Sequence, residues 1–299
     1  FNANGKTRLS SAVKQLIDPK TDDRADDHRP KVLYYNAFTE DLFFWDNDLE
    51  ADTERKLKIH RNAFTKSAFE ELGLDFNVTT TFQRYTQRNL TPRFSPDFSE
   101  VTFSLERGDD EGIETLKISK GEESNFIWSV FYSLLDQVIS VRNVVEVEDR
   151  ETQQFNDLEY VFIDDPVTSL DENHLIELAV DVAGLIKRSE SSNGLKFIVT
   201  THSPLFYNVL YNELKNKSCY MLERLDDGTF KLDAKQGDSN RSFSYHLYLR
   251  KVLEEAIAAD KIERFHFMFL RNLYEKTAAF LGYQNWGELL NTVQDIDAP

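Results

Sequence analysis

The stretch Tyr160–Asp171, with the sequence YVFIDDPVTSLD, decides how the rest of the chain is interpreted. Its first four residues are apolar and predict a short buried strand, which ends in two adjacent carboxylates, Asp164 and Asp165. Ligands of open α/β sheets bind outside the carboxyl ends of the strands. A carboxylate at that position can hold Mg²⁺ through its water shell, and a second can orient an attacking water. The alternative is a strand followed by a polar turn with two surface aspartates.

The amino-terminal sequence FNANGKT matches the end of a phosphate-binding loop. Gly5, Lys6 and Thr7 supply the last three positions of the pattern G-x-x-x-x-G-K-[ST]. The opening glycine of the pattern would precede Phe1, so we expect further residues upstream. The backbone around Asn4 and Gly5 would surround the phosphates. Lys6 would then reach the β- and γ-phosphates, and Thr7 would bind Mg²⁺. The alternative is an ordinary polar loop.

Two further motifs flank the double carboxylate along the chain. The sequence ISKGEE, Ile118–Glu123, precedes the run Phe126–Val141, which is apolar nearly all round and predicts a buried helix. The free N–H groups at such a helix start suit an anion, and Ser119 adds a hydroxyl. The run Phe197–His202, FIVTTH, predicts a strand that ends in a histidine.

The ordered motifs GKT, SKGEE, strand-DD, SLD and strand-TTH resemble those of the ABC-type ATPases. The resemblance implies an α/β P-loop domain in which Asp164 holds the metal ion, Asp165 orients the water and His202 lies near the γ-phosphate. It also implies a head-to-tail dimer with composite sites. The nucleotide-binding residues implied by a signature motif and a D-loop are Ser119, Lys120, Gly121, Glu122 and Asp171. Most of the family has Glu in place of Asp165, and the shorter side chain is expected to slow or reposition hydrolysis.

Composition limits the classes of partner. The chain of 299 residues has a net charge of −17, which argues against a general polyanion binder and requires a local basic surface for any RNA. We expect that surface from the basic residues of the carboxyl-terminal segment. Cys219 is the single cysteine, which suits a reducing cytoplasm. The sequence shows no apolar stretch of membrane-spanning length and no secretory leader, so no membrane partner is expected.

The pattern along the chain predicts an ABC-type ATPase domain over residues 1–234, with an inserted α/β region, followed by the start of an α-helical domain over 235–299. Within the first domain we expect a strand at 32–35, a helix over 55–72, strand-like runs at 76–85 and 100–108, and a hairpin over 218–232. In the second domain, two helices are expected over 247–259 and 263–281.

The carboxyl-terminal segment carries two features with chemical meaning. The loop 236–246, QGDSNRSFSYH, interleaves acidic, amide, basic and aromatic residues, a mixture that can bind a splayed-out RNA base. The alternative is a surface loop before a capped helix. Arg271 and Glu275 are four residues apart and share one helix face. They can supply two of the groups of a metal-free ribonuclease, or form an ordinary ion pair.

Stretches such as ISKGEESNFIWSVFYSLLDQV, YVFIDDPVTSLDENHLIELAV and FLRNLYEKTAAFLGY are similar to those of the PrrC-type bacterial anticodon nucleases, over nearly the whole chain. The resemblance implies that Arg271 and Glu275 are catalytic in the nuclease, with a third, histidine residue beyond Pro299. His266 is not its equivalent by motif. The residues implied to contact the tRNA anticodon, with the first as the best candidate for the wobble base, are Asp238, Ser239, Asn240, Arg241 and Ser242.

The same resemblance implies a nucleotide-gated endoribonuclease that cleaves tRNA-Lys 5′ of the wobble base without a metal ion and is latent until phage infection. Its nucleotide site would use Mg²⁺ with GTP or ATP, and dTTP would be a regulatory ligand. Its partners would be a type I DNA restriction–modification complex and further copies of the chain, as a dimer or a tetramer. The alternative is an ABC- or structural-maintenance-type ATPase sensor of a defence system whose effector is another chain.

Overall fold

The computed structural model describes residues 6–19, 29–36, 42–47, 55–61, 65–86, 89–105, 115–167, 170, 172–189, 194–215, 218–225, 227–235 and 245–294. The chain divides into two compact units, which are described separately. Unit 1 comprises Phe1–Lys215 and Leu222–Leu232, and unit 2 comprises Asn216–Met221 and Asp233–Pro299. Among the described residues, no helix combines the length and the apolar character needed to cross a bilayer.

The chain combines helices with parallel and antiparallel strands, so the prediction of a mixed α/β protein is confirmed. The helices are α1 (Lys6–Ile17), α2 (Asp75–Tyr85), α3 (Lys120–Arg142), α4 (Glu172–Ser189), α5 (Pro204–Leu214), α6 (Tyr245–Ala258), α7 (Arg264–Leu281) and α8 (Trp286–Gln294). The strands are β1 (Val32–Asn36), β2 (Phe43–Asn47), β3 (Arg55–Ile59), β4 (Leu90–Phe94), β5 (Glu100–Leu105), β6 (Thr115–Leu116), β7 (Tyr160–Asp164), β8 (Lys196–Thr200), β9 (Cys219–Arg224) and β10 (Phe230–Lys235). The predicted hairpin is confirmed as the two-stranded sheet β9–β10.

A three-stranded parallel sheet, in the order β1-β7-β8, positions the double carboxylate. The register aligns Asn36 of β1, Asp164 of β7 and Thr200 of β8 in one row. Strand β7 is central and its apolar residues are buried, as the apolar run predicts. The three strands therefore end together, and the side chains that follow them share one edge of the sheet.

A second, antiparallel sheet in the order β2-β3-β5-β4, with β6 on β5, corrects the predicted helix over 55–72. Leu57 and Ile59 are buried while Lys56 and Lys58 are half-buried, which is the period-2 pattern of a strand. The helical part of the predicted range is the π-helix Lys66–Glu71. The prediction was wrong for residues 55–59 because basic residues alternate there with only two large apolar ones.

Helix α2 replaces the strand expected at 76–85. Val78, Phe82 and Tyr85 are buried at helical spacing, which the threonines of FNVTTTFQRY conceal in the sequence. Two of these threonines donate side-chain hydrogen bonds to backbone carbonyls four residues earlier, Thr79 to Asp75 and Thr80 to Phe76. Such bonds satisfy the threonine hydroxyls but slightly destabilise a helix, so α2 depends on the packing of its buried face for its stability.

Helix α3 runs through the middle of unit 1 and is buried on nearly all sides, which confirms the prediction of a buried helix. Phe126 is surrounded by the rings of Phe43, Phe82 and Phe103, at centroid distances of 5.2–5.7 Å. These rings come from β2, α2 and β5, so the antiparallel sheet and α2 pack on the same helix. Edge-to-face ring contacts of this kind add stability beyond the buried area.

A buried hydrogen-bond chain links three helices beside this core. The indole Nε1 of Trp128 donates to the Tyr85 hydroxyl at 3.0 Å, and that hydroxyl donates to a carboxylate oxygen of Asp181. The Arg84 guanidinium also binds Asp181. Burial, and then the neighbouring Asp181 carboxylate, raise the pKa of Tyr85, so the hydroxyl stays protonated and remains a donor.

Unit 2 contains the helices α6, α7 and α8. Helix α7 ends at Gly282, whose φ of +83° is the left-handed conformation that favours glycine at a helix terminus. The Tyr274 and Trp286 rings stack at a centroid distance of 6.2 Å and join α7 to α8. The two helices predicted over 247–259 and 263–281 are confirmed, while α8 was not predicted.

The hydrogen-bond chain predicts a specific loss of stability. Tyr85→Phe should lower the free energy of unfolding by about 1–3 kcal/mol, because the buried Trp128 N–H loses its acceptor. Tyr35→Phe is the matched control, since Tyr35 is buried against the same indole and burial alone raises its pKa. Urea unfolding of both variants gives the two values. If both variants lower the free energy of unfolding by the same amount, the hydroxyl of Tyr85 contributes no more to stability than that of Tyr35.

Candidate functional site

The Asp164 carboxylate is the centre of the polar edge of the parallel sheet, and it is only 3% exposed. Thr200 Oγ1 of β8 donates to its Oδ1 at 2.5 Å. Ser10 Oγ of α1 and the Tyr34 hydroxyl of β1 each donate to its Oδ2 at 3.3 Å. Three hydroxyls from three elements therefore fix the position of the carboxylate and satisfy its buried oxygens.

Helix α1 begins within the GKT sequence, and the phosphate-binding role of that sequence stays a prediction. The helix begins at Lys6, and Thr7 precedes Ser10 by three residues, so the two lie on the same face. Ser10 contacts Asp164. Residues 6 and 7 lie about one helical turn before Ser10, toward the amino-terminal end of α1. Asn4 and Gly5, and the side chains of Lys6 and Thr7, lie outside the described residues.

The oxygen donors around Asp164 fit Mg²⁺ rather than a transition metal. Oδ1 accepts one hydrogen bond from the described residues and keeps acceptor capacity, and the surrounding groups are hydroxyls. Within the described ranges, no group of three or more His, Cys, Asp or Glu side chains forms a complete metal site. Mg²⁺ is commonly held by one or two carboxylates together with nucleotide phosphates, so Asp164 and Thr7 could bind it only with a nucleotide.

Asp165 and His202 are brought together at the ends of β7 and β8. The Nδ1 of His202 lies 2.5 Å from Oδ2 of Asp165, and the His202 backbone N–H donates to Oδ1 at 3.3 Å. Asp165 has a φ of +50°, an unfavourable value for a non-glycine residue, and its own N–H donates to the Thr200 carbonyl. This left-handed turn directs the carboxylate toward the end of β8, where it meets the histidine.

The motif SKGEE forms the start of α3, as expected, but the helix end carries its own acceptors. Ser119 Oγ accepts from the Glu122 N–H at 3.3 Å, and Glu122 Oε2 accepts from the Ser119 N–H at 2.7 Å, which is a capping box. Lys120 Nζ binds Glu123 Oε2 at 2.9 Å. Because the Glu122 carboxylate covers part of the helix amino terminus, a phosphate that approached there would compete with it.

Several predicted residues lie outside the part of the chain that the structure describes. They are Asp171 of the SLD motif and the anticodon-contacting set Asp238, Ser239, Asn240, Arg241 and Ser242. Their roles stay predictions. The neighbouring Leu170 is described and packs against the core of unit 1.

In unit 2, Arg271 and Glu275 form an exposed ion pair on α7. Arg271 Nε donates to Glu275 Oε1 at 2.7 Å, with side chains 63% and 46% exposed. His266 is buried on the same helix, and its Nδ1 accepts from the Glu263 N–H at 2.9 Å. His266 therefore caps the start of the helix.

Two of the expected basic residues are paired with acidic neighbours on α6. Arg250 pairs with Glu254, and Lys251 with Glu255, four residues along α6. From Tyr245 to Tyr283 the sequence has six Lys or Arg residues and five Asp or Glu residues. Over residues 245–283 basic and acidic residues are therefore nearly balanced in number, and the expected local basic surface stays a prediction.

The hydroxyls around Asp164 were missed in the sequence interpretation. Thr200 is the register partner of Asp164 on β8, and Ser10 follows Thr7 by one helical turn. Thr200 could have been found by pairing β7 with β8 in parallel register. Ser10 could have been found by placing the helix of the GKT sequence beside the end of β7. Tyr34 gives no such signal, because an aromatic residue in an apolar strand is normally part of the core.

Comparisons with known proteins add an independent finding. No family model matches the chain. A curated protein from Escherichia coli named "Anticodon nuclease" is 60% identical over 301 residues, which cover 97% of this chain and 76% of that protein. The chain belongs to the anticodon nuclease family. The resemblance noted in the sequence is thereby confirmed.

Solved structures give a weaker likeness than this relative. A structural-maintenance-of-chromosomes head bound to the winged-helix domain of ScpA is 17% identical with a TM-score of 0.31, over 53% of this chain and 41% of that one. A structure from work on ATP-driven dimerization of SMC ATPases is also 17% identical, with a TM-score of 0.35, over 64% of this chain and 96% of that one. TM-scores below 0.5 do not establish a shared fold.

The position of Asp164 at the edge of the parallel sheet predicts that its substitution weakens nucleotide binding only when Mg²⁺ is present. Asp164→Asn should weaken binding of a Mg²⁺–nucleotide complex by about 10–100-fold, because the negative charge that would hold the ion is lost. Binding of the same nucleotide in chelator should change little. Titration calorimetry with and without Mg²⁺ measures both affinities.

The matched control is Asp157→Asn, the same change at an exposed aspartate that precedes β7 at the opposite end. It should bind nucleotide as the unsubstituted protein does. Equal weakening in both variants, or weakening of Asp164→Asn that persists in chelator, would contradict the assignment of Asp164 to the metal ion.

Proposed function

We propose that the protein is a nucleotide-gated endoribonuclease that cleaves tRNA-Lys in the anticodon loop, 5′ of the wobble base. The observation that carries the proposal is the 60% identity over 97% of the chain to a protein named for this class of activity. Identity at that level over nearly the whole length favours shared chemistry as well as shared fold. The exposed Arg271–Glu275 pair supports a location for that chemistry.

The reaction is a transesterification in which the 2′-oxygen attacks the adjacent phosphorus and the bond to the 5′-oxygen breaks. A base takes the 2′-hydroxyl proton, an acid protonates the leaving 5′-oxygen, and a cation stabilises the charged phosphorane. The products are a 2′,3′-cyclic phosphate and a 5′-hydroxyl. Arg271 supplies the cation and Glu275 one of the proton-transfer groups. The third group is the histidine implied beyond Pro299.

The geometry of the pair leaves Arg271 able to bind a phosphate. Its Nε donates to Glu275, while the guanidinium carries four further N–H donors on its two terminal nitrogens. The pair is exposed, and exposed i,i+4 pairs contribute only about 0.3–0.5 kcal/mol. An incoming phosphodiester can therefore share or take over the guanidinium at small cost, and Glu275 is then free to exchange a proton.

The nucleotide-binding half of the proposal rests on the edge of the parallel sheet. Mg²⁺ with GTP or ATP would lie between the start of α1 and Asp164, Asp165 would orient the attacking water, and His202 would contact the γ-phosphate. Asp164 is buried with three hydroxyl donors, and Asp165 already contacts His202. This arrangement supports an ABC-type NTPase. The bound ion supplies charge neutralisation of the phosphates.

Regulation and assembly complete the proposal. Nucleotide binding would drive a head-to-tail dimer, or a tetramer, in which residues 119–122 and Asp171 meet the nucleotide of a second copy. A type I DNA restriction–modification complex would hold the nuclease latent in the cytoplasm, and dTTP would act as a regulatory ligand. The exposure of Ser119 and Lys120 at the start of α3 supports the first of these points.

A second candidate function is an ATPase sensor of a defence system whose effector is another chain. It is favoured by one observation, the near balance of basic and acidic residues in the helices of unit 2. A tRNA substrate normally meets a basic surface. Under this alternative the Arg271–Glu275 pair only stabilises α7, and its removal would leave the biological activity unchanged.

The nuclease proposal predicts the loss of one cut. Arg271→Ala should lower cleavage of tRNA-Lys by about 10²–10³-fold, because the phosphorane loses its cation. The measurement uses the full-length protein with GTP and Mg²⁺, total bacterial tRNA, and mapping of both cut ends. A cut that leaves a 3′-phosphate without a cyclic intermediate, or that needs a divalent ion at the scissile bond, would contradict the chemistry.

The matched control is Arg250→Ala, which removes an arginine from an equivalent pair. Its Nε donates to Glu254 at 2.7 Å, the same atoms, spacing and distance as in the Arg271 pair. Cleavage by this variant should stay within about two-fold of the unsubstituted protein, as expected for an exposed pair. Unchanged cleavage in both variants would show that Arg271 does not supply the cation, whereas absence of cleavage by the unsubstituted protein, with nucleotide still hydrolysed, would favour the sensor function.

The NTPase proposal predicts a separation of binding from hydrolysis. Asp165→Asn should retain nucleotide binding but lower GTP and ATP hydrolysis by about 10²-fold, because the water loses its orienting carboxylate. Phosphate release and nucleotide affinity are measured on the same preparation, with Asp157→Asn as the control. Hydrolysis at the original rate in Asp165→Asn would assign the water to another group.

A further inference from the structure

Helix α7 presents two large apolar side chains beside the Arg271–Glu275 pair. Phe267 is 62% exposed and Met268 is 61% exposed, although both belong to a helix whose other face packs in unit 2. Phe267 precedes Arg271 by four residues and Met268 precedes it by three. Residues at these spacings are neighbours on a helix surface, with Cβ atoms about 5–6 Å apart. Phe267, Arg271 and Glu275 therefore form one continuous stripe.

This stripe joins a π-face to a cation and a carboxylate within two helical turns. We propose that Phe267 is a positioning residue that stacks on a base of the nucleotides at the scissile bond, with Met268 against the edge of that base. The inference rests on the proposed nuclease function and adds a subsite to it. The ligand class is a single-stranded nucleotide with its base turned out of the loop stack.

The alignment needed for the chemistry favours such a subsite. The 2′-oxygen must align with the breaking bond, and a base stacked within the loop holds the sugar and phosphate away from that alignment. Proteins that bind single-stranded loops hold splayed bases on aromatic side chains. A phenyl ring has no hydrogen-bonding group, so Phe267 would fix the position of the base without selecting its identity.

A competing occupant of the stripe is protein, either a further segment or a second copy. The observation that favours a base is the position of the ring, since it adjoins the charged pair that would bind the phosphate. Phe280 offers a comparison, because it is 89% exposed on the same helix. Nine residues separate it from Arg271, which places it about 180° away around the helix. An exposed phenylalanine on that side cannot reach the same phosphate.

The test couples a protein change to an RNA change. Phe267→Ala, Phe267→Leu, Phe267→Trp and Phe280→Ala are prepared in the full-length protein. Each is assayed with an anticodon stem-loop and with stem-loops that carry an abasic nucleotide on either side of the cut. Single-turnover cleavage and affinity for a cleavage-resistant stem-loop, with 2′-deoxyribose at the attacking nucleotide, are both measured, and thermal unfolding is recorded.

We expect Phe267→Ala to lower the cleavage rate or the affinity by about 5- to 150-fold, the range of one base–aromatic stack. Phe267→Trp should restore the value and Phe267→Leu should not. With one of the two abasic stem-loops, Phe267→Ala should cause no further loss, since the base that it contacts is already absent. Phe280→Ala should match the unsubstituted protein, and Phe267→Ala should unfold at an unchanged temperature.

Three results overturn the inference. They are equal effects of Phe267→Ala on intact and abasic RNA, full rescue by leucine, or a lowered unfolding temperature that shows coverage by protein. If the unsubstituted protein still cleaves the RNA, any of these three results would refute only the stacking subsite and leave the proposed function in place. Absence of cleavage together with a coupled effect on affinity would remove the proposed function and retain the stacking subsite. A protein that binds none of the stem-loops would refute both.

Discussion

A carboxylate that is almost completely withdrawn from water has to be compensated, and unit 1 meets this requirement at Asp164. The compensation comes from hydroxyls on α1, β1 and β8, so the charge cannot be accommodated unless those elements adjoin. The parallel register then follows, because Thr200 reaches Oδ1 only when β7 and β8 end in the same row. The hydrogen bonds of the Asp164 carboxylate thus fix the position of α1 relative to the strands β1, β7 and β8.

The apolar half of unit 1 is organised around α3. Its buried rings receive α2 and the antiparallel sheet, while its first turn stays at the surface with the capping box. Because α3 is closely packed along its length, a shift of its accessible first turn would displace the whole helix. The hydrogen-bond chain through Tyr85 extends this rigid body to α4.

The sequence was sufficient where a long apolar run or a motif left one physical solution. Strand β7 and the buried helix α3 follow from such patterns, whereas the contact between Asp165 and His202 was not predicted. It was insufficient where packing overrides local preference, as in the threonine-rich α2 and the lysine-rich β3. Tyr34 illustrates the same limit within the site, because its hydroxyl acquires a role only after β1 is placed beside β7.

The capping box of Glu122 has an electrostatic consequence for assembly. A triphosphate carried to this helix end by a second copy would meet a carboxylate of the same sign, in a chain whose net charge is already −17. Salt would screen that repulsion, and in the proposed nuclease it would weaken the attraction of RNA phosphates to Arg271. Ionic strength would therefore act in opposite directions on self-association and on RNA capture, and the two processes would be best balanced only over an intermediate range of salt.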